Sequence, residues 1–173
     1  MSQKSKRLGR LFFNRGAIVV AKELLGKKLV RILPSKEVKS GIITETEAYT
    51  GVKDKACHSY GGRRTKRNEV MYGEPGTIYV YFTYGIHWML NIVTSKKGDP
   101  QAVLIRSLDV VNGPARLTKY LKIDKSFNGK DLIGSKTIWI EGTDIKYKDI
   151  RKTPRVGINY AEEWKDKKLR FLV

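Results

Sequence analysis

A single cysteine, Cys57, stands in this 173-residue sequence, so no internal disulfide framework can form, which agrees with a reducing compartment. Histidine is almost as scarce. With Cys57, His58 and His87 as the only Cys/His candidates, a zinc site of that type runs out of ligands. Carboxylates are short as well, 17 against 35 lysines and arginines, so a metal site built from several carboxylates is not expected. No apolar run approaches the ~20 residues of a membrane span. The basic start, MSQKSKRLGR, lacks the apolar segment and cleavage site of a secretory leader. These absences predict an intracellular protein that uses no metal, no cofactor and no membrane anchor.

What the chain has in surplus is positive charge, a formal +18, which draws polyanions or acidic membranes to its surface. Its length suits one domain with one core. Residues 1–10 read as a basic, disordered arm, either touching phosphates or simply solvated, and residues 11–173 as the domain. Ala17, Val20, Ala21, Leu24 and Leu25 repeat at helical spacing, with Gly26 where a left-handed C-terminal residue is wanted. KKLVRIL and GIITETEAY read as a hairpin closed by PSKEVKS. GTIYVYFTYG, HWMLNIVTS and QAVLIRSLDV are three further strands, GPARLTKYLKI is a second helix with Pro114 in its first turn, and TIWIEG to KLRFLV returns to strands. The predicted class is α+β: a single compact domain with a curved, mostly antiparallel sheet and a few flanking helices.

Two features carry chemistry. In TETEAY, strand alternation puts Ile43, Glu45, Glu47 and Tyr49 on one face and Thr44, Thr46 and Ala48 on the other. The two acids are ~6.6 Å apart along the backbone. That lies within the range of paired carboxylates that cleave glycosidic bonds, although such a pair is also what a solvated strand face looks like. The second feature is the long segment 50–75, which has no clean periodicity and carries Arg63, Arg64, Lys66 and Arg67, the candidates for contacts with a nucleic-acid backbone. Tyr49, Tyr60, Tyr72, Tyr79, Tyr81, Phe82 and Tyr84 crowd beside it. Basic surface interleaved with aromatic rings suits unstacked bases, while Tyr79 and Tyr81 could equally be ordinary strand packing. An enzyme that extracts a base from duplex DNA fits these residues. So do a catalytically inactive, basic and aromatic nucleic-acid-binding domain and a hydrolase of free nucleosides.

Several blocks, in order, resemble one family: ETEAY, then D-x-A-x-H-S, G-G-R-x-T-x-R-N, M-Y-G-x-P-G-T-x-Y-V-Y, V-L-I-R, G-P-A-R-L-T and T-P-R-V-G. The chain is similar, from about Leu11 to Val173, to the alkyladenine (3-methyladenine) DNA glycosylases of the mammalian type. The resemblance implies a mixed α/β domain with a curved antiparallel sheet, acting as a monomer on double-stranded DNA that contains damaged purines: 3-methyladenine, 7-methylguanine, hypoxanthine and ethenoadenine. It implies a monofunctional reaction, without lyase activity, in which the base is rotated out and its glycosidic bond hydrolysed, leaving an abasic site. On this resemblance Glu47 is the general base, with Arg106 and the backbone of Val156 holding its water. Tyr49 and Tyr81 sandwich the base, and His58 forms the wall. Tyr84, in FTYG, fills the gap in the duplex, and Asn91 rejects normal guanine. His87, Trp88 and the loop Lys96 to Gln101 depart from the family pattern. No role attaches to Glu45, and Cys57 with His58 is rejected as a nucleophile pair because neighbours on an extended chain point apart.

Overall fold

The computed structural model describes residues 6–173; of the expected N-terminal arm, residues 1–5 lie outside the described residues. Residues 6–8 lie along a strand, with Gly142 N donating to Lys6 O and Leu8 N to Ile140 O, each at 2.9 Å. The first helix, α1 (Arg10–Phe13), buries Phe13. The second, α2 (Ala17–Leu24), is the amphipathic helix expected from spacing; it buries Ala17, Val20, Ala21 and Leu24 and ends before Gly26 at φ 85°. The third, α3 (Pro114–Tyr120), starts on its proline as predicted.

The strands are β1 (Lys28–Ile32), β2 (Val38–Tyr49), β3 (Ile78–Thr83), β4 (His87–Thr94), β5 (Gln101–Leu108), β6 (Ile138–Glu141), β7 (Arg151–Thr153) and β8 (Arg170–Leu172). They form one curled antiparallel sheet in the order β3-β4-β5-β2-β1-β6, with β8 also pairing β2 and β7 pairing β8. The α+β class and the single domain are as expected. The core lies between α2, α3 and the concave sheet, where Leu24, Leu29, Ile92, Ile105, Leu117 and Phe171 meet.

β2 departs from simple alternation, and the departure builds the site. Its register against β5 shifts on both sides of Glu45. Before the shift Gly41 and Ile43 are buried; after it the buried, core-facing positions are Thr46, whose hydroxyl donates to Ala21 O of α2 at 2.8 Å, and Ala48. Ile43 therefore belongs with the core and not, as strict alternation suggested, with Glu45, Glu47 and Tyr49. A bulge reverses the phase of a strand, which is how bulges re-aim side chains next to functional sites.

Candidate active site

Segment 50–75 has turns and two short 3-10 helices (Tyr60–Gly62 and Glu69–Tyr72), and buried polar side chains organise it. Asn68 is buried; its Nδ2 donates to His58 O at 3.0 Å and to Arg63 O at 2.9 Å, while its Oδ1 accepts from Thr65 N at 2.7 Å. Asp54 is fully buried and accepts from Thr50 N and Ala56 N, each at 3.0 Å. It also takes a two-pronged bond from Arg155, at 2.6 and 2.8 Å. Both side chains of that pair are completely buried. Arg155 in turn donates to Ala48 O at 2.9 Å and lays its guanidinium 4.7 Å from the centre of the Tyr49 ring.

This cross-link delivers the segment after β7 to the end of β2. Val156 N donates to Glu47 Oε1 at 2.8 Å, and the Tyr49 hydroxyl donates to Glu47 Oε2 at 2.9 Å. The amide assigned from the resemblance thus bonds the carboxylate itself. Arg106 bridges the two acids of TETEAY: its Nε donates to Glu45 Oε1 at 2.8 Å, and its NH1 stands 3.6 Å from Glu47 Oε1. Glu45 also accepts from Ser107 Oγ at 2.8 Å and Arg170 Nε at 2.6 Å.

The two glutamates consequently differ. Burial alone would raise Glu45, but the bonds from Arg106, Arg170 and Ser107 outweigh it and hold the carboxyl below its ordinary range. For Glu47 burial wins over Arg106, the Val156 amide and the Tyr49 hydroxyl, and its carboxyl lies above the ordinary range. Each Glu47 oxygen has one close donor, so lone pairs remain for a water, since a carboxylate offers about four sites. Glu45 is spent on its donors, whereas Glu47 can still take a proton.

Above Glu47 opens a cavity of about 350 Å³, within the range of small-ligand sites. Tyr49, Tyr81 and His58 form its walls, Glu47 and Arg106 its floor, and Val156, Tyr84 and Tyr160 its rim. The His58 ring meets Tyr81 edge-on, 4.6 Å between centres, and its Nδ1 is 2.8 Å from the Tyr79 hydroxyl. Burial, together with Arg67 and Arg63, pushes His58 down to about 4, so the imidazole is neutral. Chain direction is not what separates it from Cys57, since this stretch is turned rather than extended; the thiol faces Ser59 Oγ at 3.1 Å, while the imidazole Nδ1 faces the Tyr79 hydroxyl.

The remaining site residues divide. Asn91 is buried, its Nδ2 donating to Tyr79 O at 3.2 Å and Met89 O at 3.4 Å, and it lines a smaller inner void of about 20 Å³ behind Tyr49, His58 and Tyr81. Tyr84, 79% exposed, projects from the β3–β4 turn with φ 52°. A bulky residue in the left-handed region is strained, by about 1–3 kcal/mol, and such strain gathers at functional positions. Gly157 approaches its hydroxyl: a Cβ there would lie 3.4 Å away. Of the four basic candidates, Arg67 reaches the cavity and donates to Phe82 O at 3.2 Å; Arg64 is paired with Glu69 at 2.6 Å, and Arg63 and Lys66 are exposed. Asp54 and Arg155 escaped the sequence reading as site residues, although both stand inside the motif blocks quoted above.

Comparison with known proteins agrees with this geometry. A family model described as methylpurine-DNA glycosylase (MPG) matches residues 11–112 and 108–173. A protein of Desulfitobacterium hafniense is 46% identical over 193 residues, spanning 96% of this chain and 94% of its own. One from Borrelia garinii is 45% identical, spanning 90% and 89%, and one from Clostridium perfringens strain 13 is 41% identical, spanning 96% and 95%. All three carry the name "Putative 3-methyladenine DNA glycosylase". With the family matched over nearly the whole chain, this protein belongs to the methylpurine-DNA glycosylase family.

Proposed function

We propose that this protein is a DNA glycosylase that rotates a damaged purine of the 3-methyladenine class into the cavity between Tyr49, Tyr81 and His58 and hydrolyses its N-glycosidic bond. The observation that carries this reading is the buried, basic Glu47 carboxylate on the floor of an aromatic-walled cavity, under a strained and exposed Tyr84. In the proposed reaction Glu47 takes a proton from water as the water attacks the sugar, and its charge opposes the positive charge growing on that sugar. Arg106 steadies the carboxylate and the water. Tyr84 fills the vacated stack, which offsets part of the few kcal/mol of unstacking.

The set of leaving bases follows from the charges. A cationic base such as 3-methyladenine or 7-methylguanine leaves without an acid, and neutral His58 does not repel it. Hypoxanthine and ethenoadenine need a proton, and no acid besides Glu47 lines the cavity among the described residues. No lysine lines it either, which supports simple hydrolysis over Schiff-base lyase chemistry. Asn91, behind the aromatic walls, is proposed to select against guanine by limiting the depth of the cavity.

The test is base release from a panel of lesion duplexes in the presence of a chelator. The expected products are alkali-labile abasic sites, with no covalent adduct on borohydride treatment. Tight binding to lesion duplex without base release on long incubation would instead establish a binding module.

A further inference from the structure

Two arginines are buried among the described residues, and they are satisfied in opposite ways. Arg155 has Asp54 on two prongs. Arg31, on β1 and 6% exposed, has no carboxylate within salt-bridge distance among the described residues, and residues 1–5, MSQKS, contain no acid that could supply one. Its NH1 donates only to carbonyls, those of Ile32 and, at 3.4 Å, Thr137; its Nε, like that of Arg155, is buried without a partner. A buried guanidinium is normally paired, because removing its charge from water costs several kcal/mol.

Arg31 also lines a cavity of about 490 Å³. Lys36, Lys130, Lys136 and the Ser126 residue line it too, and no acid does. Phe127 forms part of its wall, with the Arg31 guanidinium 4.7 Å and the Lys130 ammonium 4.8 Å from the ring centre. The acid that acts on Arg31 electrostatically, Asp124, is an exposed side chain already accepting from Ser126 N at 2.8 Å. Four cations thus line one cavity, and the one acid that acts on any of them, Asp124, faces Arg31 and Lys130 from outside its lining.

We propose that this cavity is an anion site and that it takes a phosphate group. A phosphate brings two or more acceptor oxygens on one centre, with one charge in a diester and up to about two in a free phosphate, which match one unpaired guanidinium flanked by ammonium groups. The cavity sits at the β1–β2 turn. Glu47 is nine residues along β2 from Val38, roughly 30 Å if that strand were fully extended. No residue lines both this cavity and the one above Glu47, so the ligand is assigned as distinct from the phosphate beside the rotated nucleotide. It is either a phosphodiester of a further DNA segment or a free phosphate.

The experiment titrates inorganic phosphate into the full chain at constant ionic strength and follows the amide and arginine side-chain resonances by NMR. Saturable shifts centred on Arg31, Ser126 and Lys136 are expected. In the double variant Lys130→Ala/Lys136→Ala, whose side chains are exposed, affinity falls at least about tenfold while base release stays within twofold. Arg31→Gln abolishes binding; should that variant fail to fold, the lysine pair decides alone. Small shifts spread over the whole surface, or an unchanged affinity in the lysine pair, overturn the proposal. A parallel titration with short undamaged duplex separates the sources: the same resonances moving with a second equivalent of duplex identify a phosphodiester, and their silence beside a positive phosphate titration identifies free phosphate.

Discussion

Replacing Glu47 with glutamine separates two properties that the site couples. The amide keeps the shape of the side chain: its oxygen can accept from Val156 N, and its NH2 can donate to the Tyr49 hydroxyl, which now acts as acceptor. What disappears is the carboxylate proposed as the base, together with its charge. Removing a general base costs about 10² to 10⁴ in rate, and no other carboxylate lines the cavity to replace it. Glu45 cannot substitute, since Arg106, Arg170 and Ser107 occupy it. Single-turnover base release from a hypoxanthine duplex should therefore fall about a hundred- to ten-thousandfold, roughly 3–5 kcal/mol of barrier.

Stability should move the other way. Burial raises the Glu47 carboxyl in the folded state, so the native protein holds that proton more tightly than the unfolded chain does. The associated stability is fully present below the ordinary carboxylate range and is lost as pH rises through the raised value. At pH 7 the ionised carboxylate is a net cost that Glu47→Gln removes. The variant should melt at or above the wild-type temperature at pH 7, and this difference should shrink on acidification toward pH 4. Turnover within tenfold of wild type would refute the role of Glu47 as base. A fall of several degrees at pH 7 would refute the assignment of burial as its dominant influence.

Asp54→Asn leaves Arg155 buried against a neutral partner; breaking such a pair costs about 3–5 kcal/mol, so calorimetry should show a melting point lower by about 10 °C. Tyr84→Ala, at a site 79% exposed, should leave melting unchanged or slightly raised while weakening binding to lesion duplex and slowing base release from it, the loss being smaller when the lesion is already unpaired. Raising salt from 50 to 200 mM should weaken duplex binding about a thousandfold for six or so neutralised phosphates. Arg67→Ala should flatten that salt dependence more than Arg64→Ala, because Arg64 is already paired with Glu69. Equal slopes in the two variants would count against Arg67 as the contact.

Local pattern made much of the fold legible. The β1–β2 hairpin, the three strands β3 to β5, α2 with Gly26 and α3 with Pro114 all follow from periodicity and punctuation near each residue. What was not legible depends on partners far away in sequence. The bulge at Glu45 is set by pairing with β5, about 60 positions on, and it decides which side of β2 carries Tyr49. The organisation of residues 50–75 depends on Asp54 meeting Arg155, 101 positions away. The Val156 amide meets Glu47 across 109. Taken alone, Arg106 looks like an ordinary charge at a strand end, and only the fold shows that it joins Glu45 to Glu47.

Glu45, without a role by sequence, acquires one from the charge balance of the site. In a chain of net charge +18, the buried acids among the described residues are Glu45, Glu47 and Asp54, and all three are here, facing Arg106, Arg155 and Arg170. The surface thus attracts the DNA backbone, while the buried cluster is near neutral and does not oppose a cationic base or a positively charged sugar. Glu45 holds Arg106 back from Glu47: the arginine's Nε is 2.8 Å from Glu45, and its NH1 stays 3.6 Å from the Glu47 carboxylate. In Glu45→Gln the guanidinium loses its charged anchor and moves toward Glu47. That favours the ionised form of Glu47, lowers its pKa and weakens it as a base. The acid limb of the pH–rate profile should therefore shift to lower pH while the neutral plateau falls, with substrate binding little changed. A lower plateau without any shift of the limb would reduce Glu45 to a scaffold for Arg170 and Ser107, with no hold on the chemistry.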